Sequence, residues 1–381
     1  MDPDLLARVG DVPETASGHP TGQNPAPVAF RAAIAEILES FVSSQREALA
    51  PLGPDLDPLF DAARGALTGG KRLRAAFAYW GWRAAGGSAS KTTALMHAAS
   101  AIELVHASAL IHDDVMDASV TRRGNPSAHK AFAALRLAEA APDAAAGTAD
   151  RFGSSAAILL GDLLLAWSDE LFGESGFKPK AIRRGRVYFD KLRREVVAGQ
   201  YLDVLAQTRR RSSASDAMRV LLYKSAKYTV ERPLQLGAAL GKADRNLLGA
   251  LSSYGVPLGE AFQLRDDVLG VFGKADLTGK PSGDDIREGK RTLLVARAFD
   301  KADSEQRAVL DASLGNADLD DQGITAVQEV LRATGAVAAV ETVISELTSA
   351  ALAALNQSPI QDEEARTALL TLSDRATNRT A

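Results

Sequence analysis

KTTALMHAASAIELVHASALIHDDVMD, residues 91–117, decides the fold. Ala, Leu, Ile and Val recur at helical spacing through it, no Gly or Pro interrupts it, and it ends in three aspartates. The same texture continues outward in AFRAAIAEILESFVSSQREAL (29–49) and SYGVPLGEAFQLRDDVLGVFG (253–273). Alternating runs of β-branched residues are almost absent, so strands have little support. Clusters of Gly, Pro and Asp punctuate the helical segments: PLGPDLDP, TGGK, AAGGSAS, RRGNPS, GKADLTGKPSGDD and LGNADLDDQG. The pattern predicts ten or more helices in one all-α domain from residue 29 to 381. Residues 1–28, rich in Pro, Gly and small polar residues beyond position 10, are expected to form a disordered arm. APDAAAGTAD (141–150) is expected to be a mobile insertion loop.

The chain has 381 residues, 48 acidic and 44 basic, for a net charge of −4. That balance argues against a general nucleic-acid binder, which would be basic. With no cysteine, disulfides, thiolate catalysis and sulfur-ligated metals are excluded. Five histidines leave little material for imidazole metal chemistry, so a metal here needs oxygen ligands. The start has no apolar core of the signal-peptide kind. The run AAILLGDLLLAW (156–167) is too short to span a bilayer and carries Asp162. A cytoplasmic location is expected, with peripheral membrane contact left open.

Asp113 and Asp117 in IHDDVMD are four residues apart, so on a helix they share a face about 6 Å apart along the axis. Like charges at that spacing repel unless a cation sits between them. Hard oxygen ligands point to Mg²⁺, which takes one or two carboxylates plus water and substrate phosphates. A second pair, Asp266 and Asp267, precedes a Gly-rich stretch holding Lys280 and Lys290. Lysines beside paired carboxylates suit a magnesium–phosphate cluster. Further cations recur as Lys71 and Arg74 after a Gly pair, Arg122 and Arg123 beyond the first acidic cluster, and Lys224 and Lys227 in KSAKYT. Together they describe two anionic groups held apart, one on magnesium and one on Arg and Lys. His106 lies within about 20° of the Asp113 face. Glu103 and His106 form one E-x-x-H, but a di-iron bundle needs two. The run Arg209–Arg211 is expected to be a solvated helix end.

Eight motifs in order, GGKRLR, ELVHASALIHDDVMD, RRGNPSAH, GDLLL, GQYLD, KSAKYT, FQLRDD and GKPSGDDIREGKRT, make the chain resemble the trans-isoprenyl diphosphate synthases. The resemblance runs from about residue 29 to the C-terminal helices. It implies a bundle of long helices around a deep central cavity, a homodimer, and Mg²⁺, three ions per site. Asp113, Asp117 and Asp266 would be the metal ligands, with Asp267 in support. Arg122, Lys224, Gln263 and Lys280 match positions that meet the allylic substrate or its leaving diphosphate. Lys71, Arg74, His106 and Arg123 match the isopentenyl diphosphate site; Ser225 and Lys290 complete the substrate-binding set. Gln200 and Asp203 match a supporting segment near the metals. The implied reaction ionises the allylic diphosphate and adds isopentenyl diphosphate, with no side-chain nucleophile.

The second acidic motif of the family is usually DDxxD, whereas this chain reads DDVLG, with Gly270 last. Restoring an Asp there is expected to change little. Small residues at Ser108 and Ala109, where farnesyl-producing relatives carry aromatics, imply a C20 product or a longer one of C25 or more. Val105, Ile102 and Trp167 are the candidate floor of that pocket. A class I terpene cyclase would need no isopentenyl site, and a non-catalytic partner subunit would not need the substrate cations retained here.

Overall fold

The computed structural model describes residues 20–139, 146–209, 211–273 and 283–377. Its architecture is all-α, as the periodicity predicts. Helices α1 (Val28–Leu49), α2 (Asp57–Leu67), α3 (Leu73–Ala84) and α4 (Thr92–Met116) open the chain. A hairpin of two-residue strands, β1 (Thr121–Arg122) and β2 (Asn125–Pro126), pairs Thr121 with Pro126 and Arg122 with Asn125. Then come α5 (Ala128–Glu139), α6 (Ala146–Gly173) and α7 (Pro179–Gln207). A continuous rod follows, made of α8 (Ala214–Val220), a π-helical segment (Leu221–Glu231) and α9 (Arg232–Leu240). After α10 (Arg245–Phe272) the chain ends in α11 (Asp284–Arg287), α12 (Leu293–Lys301), α13 (Ser304–Ser313), α14 (Asp321–Ala333), α15 (Ala336–Asn356) and α16 (Glu363–Thr377).

Helix α4 is the hub. It packs along α6 and α3 and is buried on every side through its middle, which is why its sequence is apolar around the whole helix. Each Leu or Ile buried there stabilises by ~1.5–3 kcal/mol. An Asp near a helix C-terminus costs only ~0.3–1 kcal/mol against the dipole. The packing therefore dominates, and α4 can carry Asp113 and Asp114 in its last turn.

The π segment is squeezed between α7 and α10. A Cβ on Gly199 would lie 2.6 Å from Lys224 Cα, and one on Gly259 would lie 2.7 Å from Ala226 Cα. Only glycine lets three backbones approach so closely. The wider π turn places Lys224 and Tyr228, four residues apart, on one face.

Two expectations change at their edges. Of the arm 1–28, residues 20–27 pack on the bundle: Trp80 Nε1 donates to the Pro25 carbonyl, Thr371 Oγ1 donates to the Gly22 carbonyl, and Ala26 is buried. An apolar Trp80–Tyr79–Phe30 cluster beneath gives this proline-rich segment something to cover. Of the loop 141–150, residues 146–150 already form the first turn of α6. Residues 1–19 and 140–145 lie outside the described residues.

Candidate active site

A cavity of about 850 Å³ opens between α3, α4 and α7 on one side and the π segment, α10 and residues 284–292 on the other. It gathers Lys71, Arg74, His106, Ala109, Asp113, Arg122, Arg123, Lys224, Ser225, Gln263, Asp266 and Lys290 from six separate stretches of sequence. Lys280 lies outside the described residues.

The acidic end is built on α4. Asp113 Oδ1 accepts from Gln200 Nε2 at 2.9 Å and from Lys224 Nζ at 3.0 Å, and Asp203 Oδ2 takes the same ammonium at 2.6 Å. Burial alone would raise the Asp113 pKa, but Lys224, Lys290 and Arg122 outweigh it and hold the carboxyl well below the usual carboxylate range. Asp117, one turn on, behaves oppositely: burial and then the charge of Asp113 push it up to about 6. Its Oδ2 is buried without a hydrogen-bond partner. Across the cavity, Asp267 accepts from Gln263 Nε2 at 2.9 Å and is pushed up to about 7, chiefly by burial, with Asp285 and Asp266 adding to it.

Arg122 and Arg123 are aimed by the hairpin. Positive φ at Arg123 (54°) and Gly124 (77°) makes the tight turn that two-residue hairpins favour. Arg122 Nε donates to Asp114 Oδ1 at 2.9 Å, and Nη2 reaches Asp113 Oδ2 at 3.5 Å. Asp114 is thereby buried under Arg122 and holds it in place. Arg123 Nη1 donates to the Thr68 carbonyl at 2.9 Å and covers Gly70. Gly69, Gly70 and Arg72 all have positive φ, so the chain before α3 curls with Lys71 at the rim of the cavity. This second, cationic end holds Lys71, Arg74, Arg123 and His106.

Two residues, Arg72 and Tyr228, were not legible beforehand. Arg72 is buried and pairs with Glu103 at 3.0 Å, which gives Glu103 a structural partner and removes the di-iron reading of E-x-x-H. Tyr228 OH lies 2.8 Å from His106 Nδ1. Lys290, expected in the substrate-binding set, is half-buried and pairs with Asp285 at 2.8 Å and Glu288 at 2.6 Å, and these acids hold its pKa well above the usual lysine value against the effect of desolvation.

Some expectations are corrected. Lys227 is turned away, against Glu231 at 3.6 Å. Ser108 and Val105 are buried in helix packing and do not line the cavity; Ala109 alone of the three reaches it. Ile102 is fully buried, and Trp167 stacks on Phe60 away from the lining. Position 270 is not open: a Cβ on Gly270 would overlap the Asp285 carboxylate, lying 2.7 Å from its Cγ. The missing acid of DDVLG leaves room that a carboxylate from α11 fills.

The residues fit Mg²⁺. Among the described residues no three His, Asp or Glu side chains converge to hold an ion unaided. Carboxylates instead stand in pairs on two walls, with one buried oxygen of Asp117 unpartnered, as suits ions completed by water and phosphate oxygens.

The sequence profile of the polyprenyl synthetase family matches residues 58–331. A geranylgeranyl diphosphate synthase of Methanosarcina mazei is 34% identical over 233 residues, 61% of this chain and 64% of that one. One of Mycobacterium tuberculosis is 31% identical over 306 residues, 79% of this chain and 80% of that one. A crystal structure of geranylgeranyl pyrophosphate synthase from Corynebacterium glutamicum, complexed with isoprenyl diphosphate and magnesium, superposes with a TM-score of 0.87 at 38% identity. It covers 92% of this chain and 99% of that one.

Proposed function

Because the chain belongs to the polyprenyl synthetase family, whose members are metal-dependent trans-prenyltransferases, we propose that it condenses isopentenyl diphosphate with an allylic diphosphate to give geranylgeranyl diphosphate. One observation carries the reading: a single cavity holds two opposed acidic walls and, apart from them, a cationic cradle for a second diphosphate.

Asp113 on α4, Asp117 capping its C-terminus and Asp266 on α10 would hold Mg²⁺, three ions per site, and the bound metal would withdraw charge from the allylic C–O bond. Lys224 and Arg122 stand beside Asp113, and Lys290 pairs with Asp285, as fixed positive charge for the departing diphosphate. Lys71, Arg74, Arg123 and His106 grip the diphosphate of the isopentenyl substrate, which aligns its double bond with the allylic carbon. In the step itself the C–O bond breaks with its electron pair going to diphosphate. The isopentenyl π electrons form the new C–C bond, and the adjacent proton leaves to the released diphosphate. Val196, Leu221, Phe262 and Leu269 line the cavity with apolar surface that keeps water from the cation.

Ala109, directly under Asp113 on α4, leaves room for a C20 tail, and the same gap favours the second reading, a product of C25 or more. The exposed apolar residues Leu135, Leu137, Phe152, Ile158 and Leu159 of α5 and α6 suit the homodimer. A cytoplasmic enzyme touching membranes only to release its product is consistent with this reading. The test is incubation of the pure protein with Mg²⁺, isopentenyl diphosphate and each of dimethylallyl, geranyl and farnesyl diphosphate, with product length read by chromatography. A C20 product is expected. Turnover of an allylic diphosphate without consumption of isopentenyl diphosphate would overturn the proposal in favour of a cyclase.

A further inference from the structure

The imidazole of His106 is ringed by guanidinium groups from Arg74, Arg123, Arg122 and Arg72, and both its burial and their charge keep it neutral. A neutral imidazole has one nitrogen that donates and one that accepts. Which is which decides whether His106 offers the cavity a proton or a lone pair. Facing an anionic diphosphate, a lone pair would repel and an N–H would bind.

The π segment settles the choice. Tyr228, on the same face as Lys224, is fully enclosed, and its hydroxyl lies 2.8 Å from His106 Nδ1. A buried phenol needs an acceptor for its O–H, and burial keeps that proton on the oxygen. Donation to Nδ1 leaves the proton of the imidazole on Nε2, the other ring nitrogen of a residue that lines the cavity. Arg74 adds to this: its guanidinium sits 4.3 Å from the centroid of the Tyr228 ring while Nη2 donates to Thr229 Oγ1 at 3.0 Å. One tyrosine thus braces both an arginine and a histidine of the cationic cradle. A phenylalanine at 228 would keep the stacking and lose only the hydroxyl.

We propose that Tyr228 is a positioning residue of the isopentenyl diphosphate site, fixing His106 as an Nε2–H donor toward the non-allylic diphosphate. This rests on the function proposed above, so its test has an arm that does not. In kinetics, Tyr228→Phe raises KM for isopentenyl diphosphate by about tenfold and leaves KM for the allylic substrate unchanged, the loss of one well-placed donor. The double variant His106→Ala/Tyr228→Phe is no worse than His106→Ala, because the hydroxyl acts through the imidazole. Independently of turnover, ¹⁵N NMR of the wild-type holoprotein shows His106 Nδ1 unprotonated and Nε2 protonated. In Tyr228→Phe the tautomers mix, and metal-free binding of inorganic diphosphate weakens. A wild-type His106 carrying its proton on Nδ1, an unchanged KM for isopentenyl diphosphate, or additive losses in the double variant would each overturn the proposal. A wild-type protein that consumes no isopentenyl diphosphate, yet shows the Nε2–H tautomer, would fail the function and leave the Tyr228–His106 contact standing.

Discussion

Gly270→Asp would complete the second acidic motif, and it should lower turnover. A Cβ at 270 would stand 2.7 Å from Asp285 Cγ, where carbon contacts ordinarily begin near ~3.5 Å, so the Asp285 carboxylate must move by about 1 Å or leave. It cannot leave freely, because its Oδ1 accepts from half-buried Lys290 at 2.8 Å. Overpacking costs ~1–3 kcal/mol and loss of a charged hydrogen bond ~1.5–3 kcal/mol, a combined ~3–6 kcal/mol. With an unfolding entropy of about 2 cal/mol/K per residue, that is a fall in Tm of about 4–8 °C. If only the displaced hydrogen bond is felt in the transition state, kcat drops about 10- to 150-fold. Gly270→Ala carries the same Cβ without the charge and should show most of the loss. The decisive variant is Gly270→Asp/Asp285→Gly, which moves the carboxylate from α11 to α10 without adding one. It should recover at least tenfold in kcat over Gly270→Asp. Steady-state kinetics and thermal melts of the four proteins measure this. Wild-type Tm and kcat in Gly270→Ala, or a double variant no better than Gly270→Asp, would refute the reasoning.

Asp113→Ala removes the carboxylate that Gln200 and Lys224 brace and should cost several orders of magnitude in kcat; near-normal turnover would remove its role. Ala109→Phe, which projects into the cavity, should shift the product toward C15, whereas Ser108→Phe, in tight helix packing, should chiefly lower Tm; product chromatography and melting separate the two. Asp117 at about 6 and Asp267 at about 7 bind protons more tightly folded than unfolded, so metal-free stability falls as pH rises through about 4 to 7. Mg²⁺ displaces those protons, so the gain in Tm on adding Mg²⁺ should grow from pH 5.5 to 8; a pH-independent gain would contradict the shifts.

The helices were legible because their burial leaves a period in the sequence. The stretch 91–114 read as helical, and α4 spans Thr92–Met116. The cations and aspartates were legible because they cluster in short motifs. What stayed hidden depended on spatial neighbours. Nothing in GDDIREGK says that Asp285 lies against Gly270, fifteen positions back on another helix. Spacing alone does not distinguish Lys224 from Lys227 in KSAKYT; the resemblance picked out Lys224, and the structure turns Lys227 toward Glu231. Ser108 misled for a related reason. Being next to Ala109 in sequence puts it about 100° round the helix, into the packing.

The charges of the cavity argue for how the substrates must arrive. Its lining holds eight cationic side chains, Lys71, Arg72, Arg74, Arg122, Arg123, Lys224, Lys290 and Arg291, and seven acids, Glu103, Asp113, Asp203, Asp266, Asp267, Asp284 and Asp285. Fully ionised, they leave a surplus of one positive charge, while two substrate diphosphates bring roughly three negative charges each. The protein alone therefore cannot neutralise both substrates. The shortfall of about five charges is unevenly placed: the cradle around Arg74 and Arg123 is rich in cations, whereas burial and neighbouring carboxylates push Asp117 up to about 6 and Asp267 up to about 7. One divalent ion would still leave a net deficit of about three charges, and three ions would close it. On the proposed function, the allylic diphosphate would enter with its metal at the aspartate walls, and the isopentenyl diphosphate would bind without any. This division would keep two chemically similar diphosphates in separate places within one polar cavity.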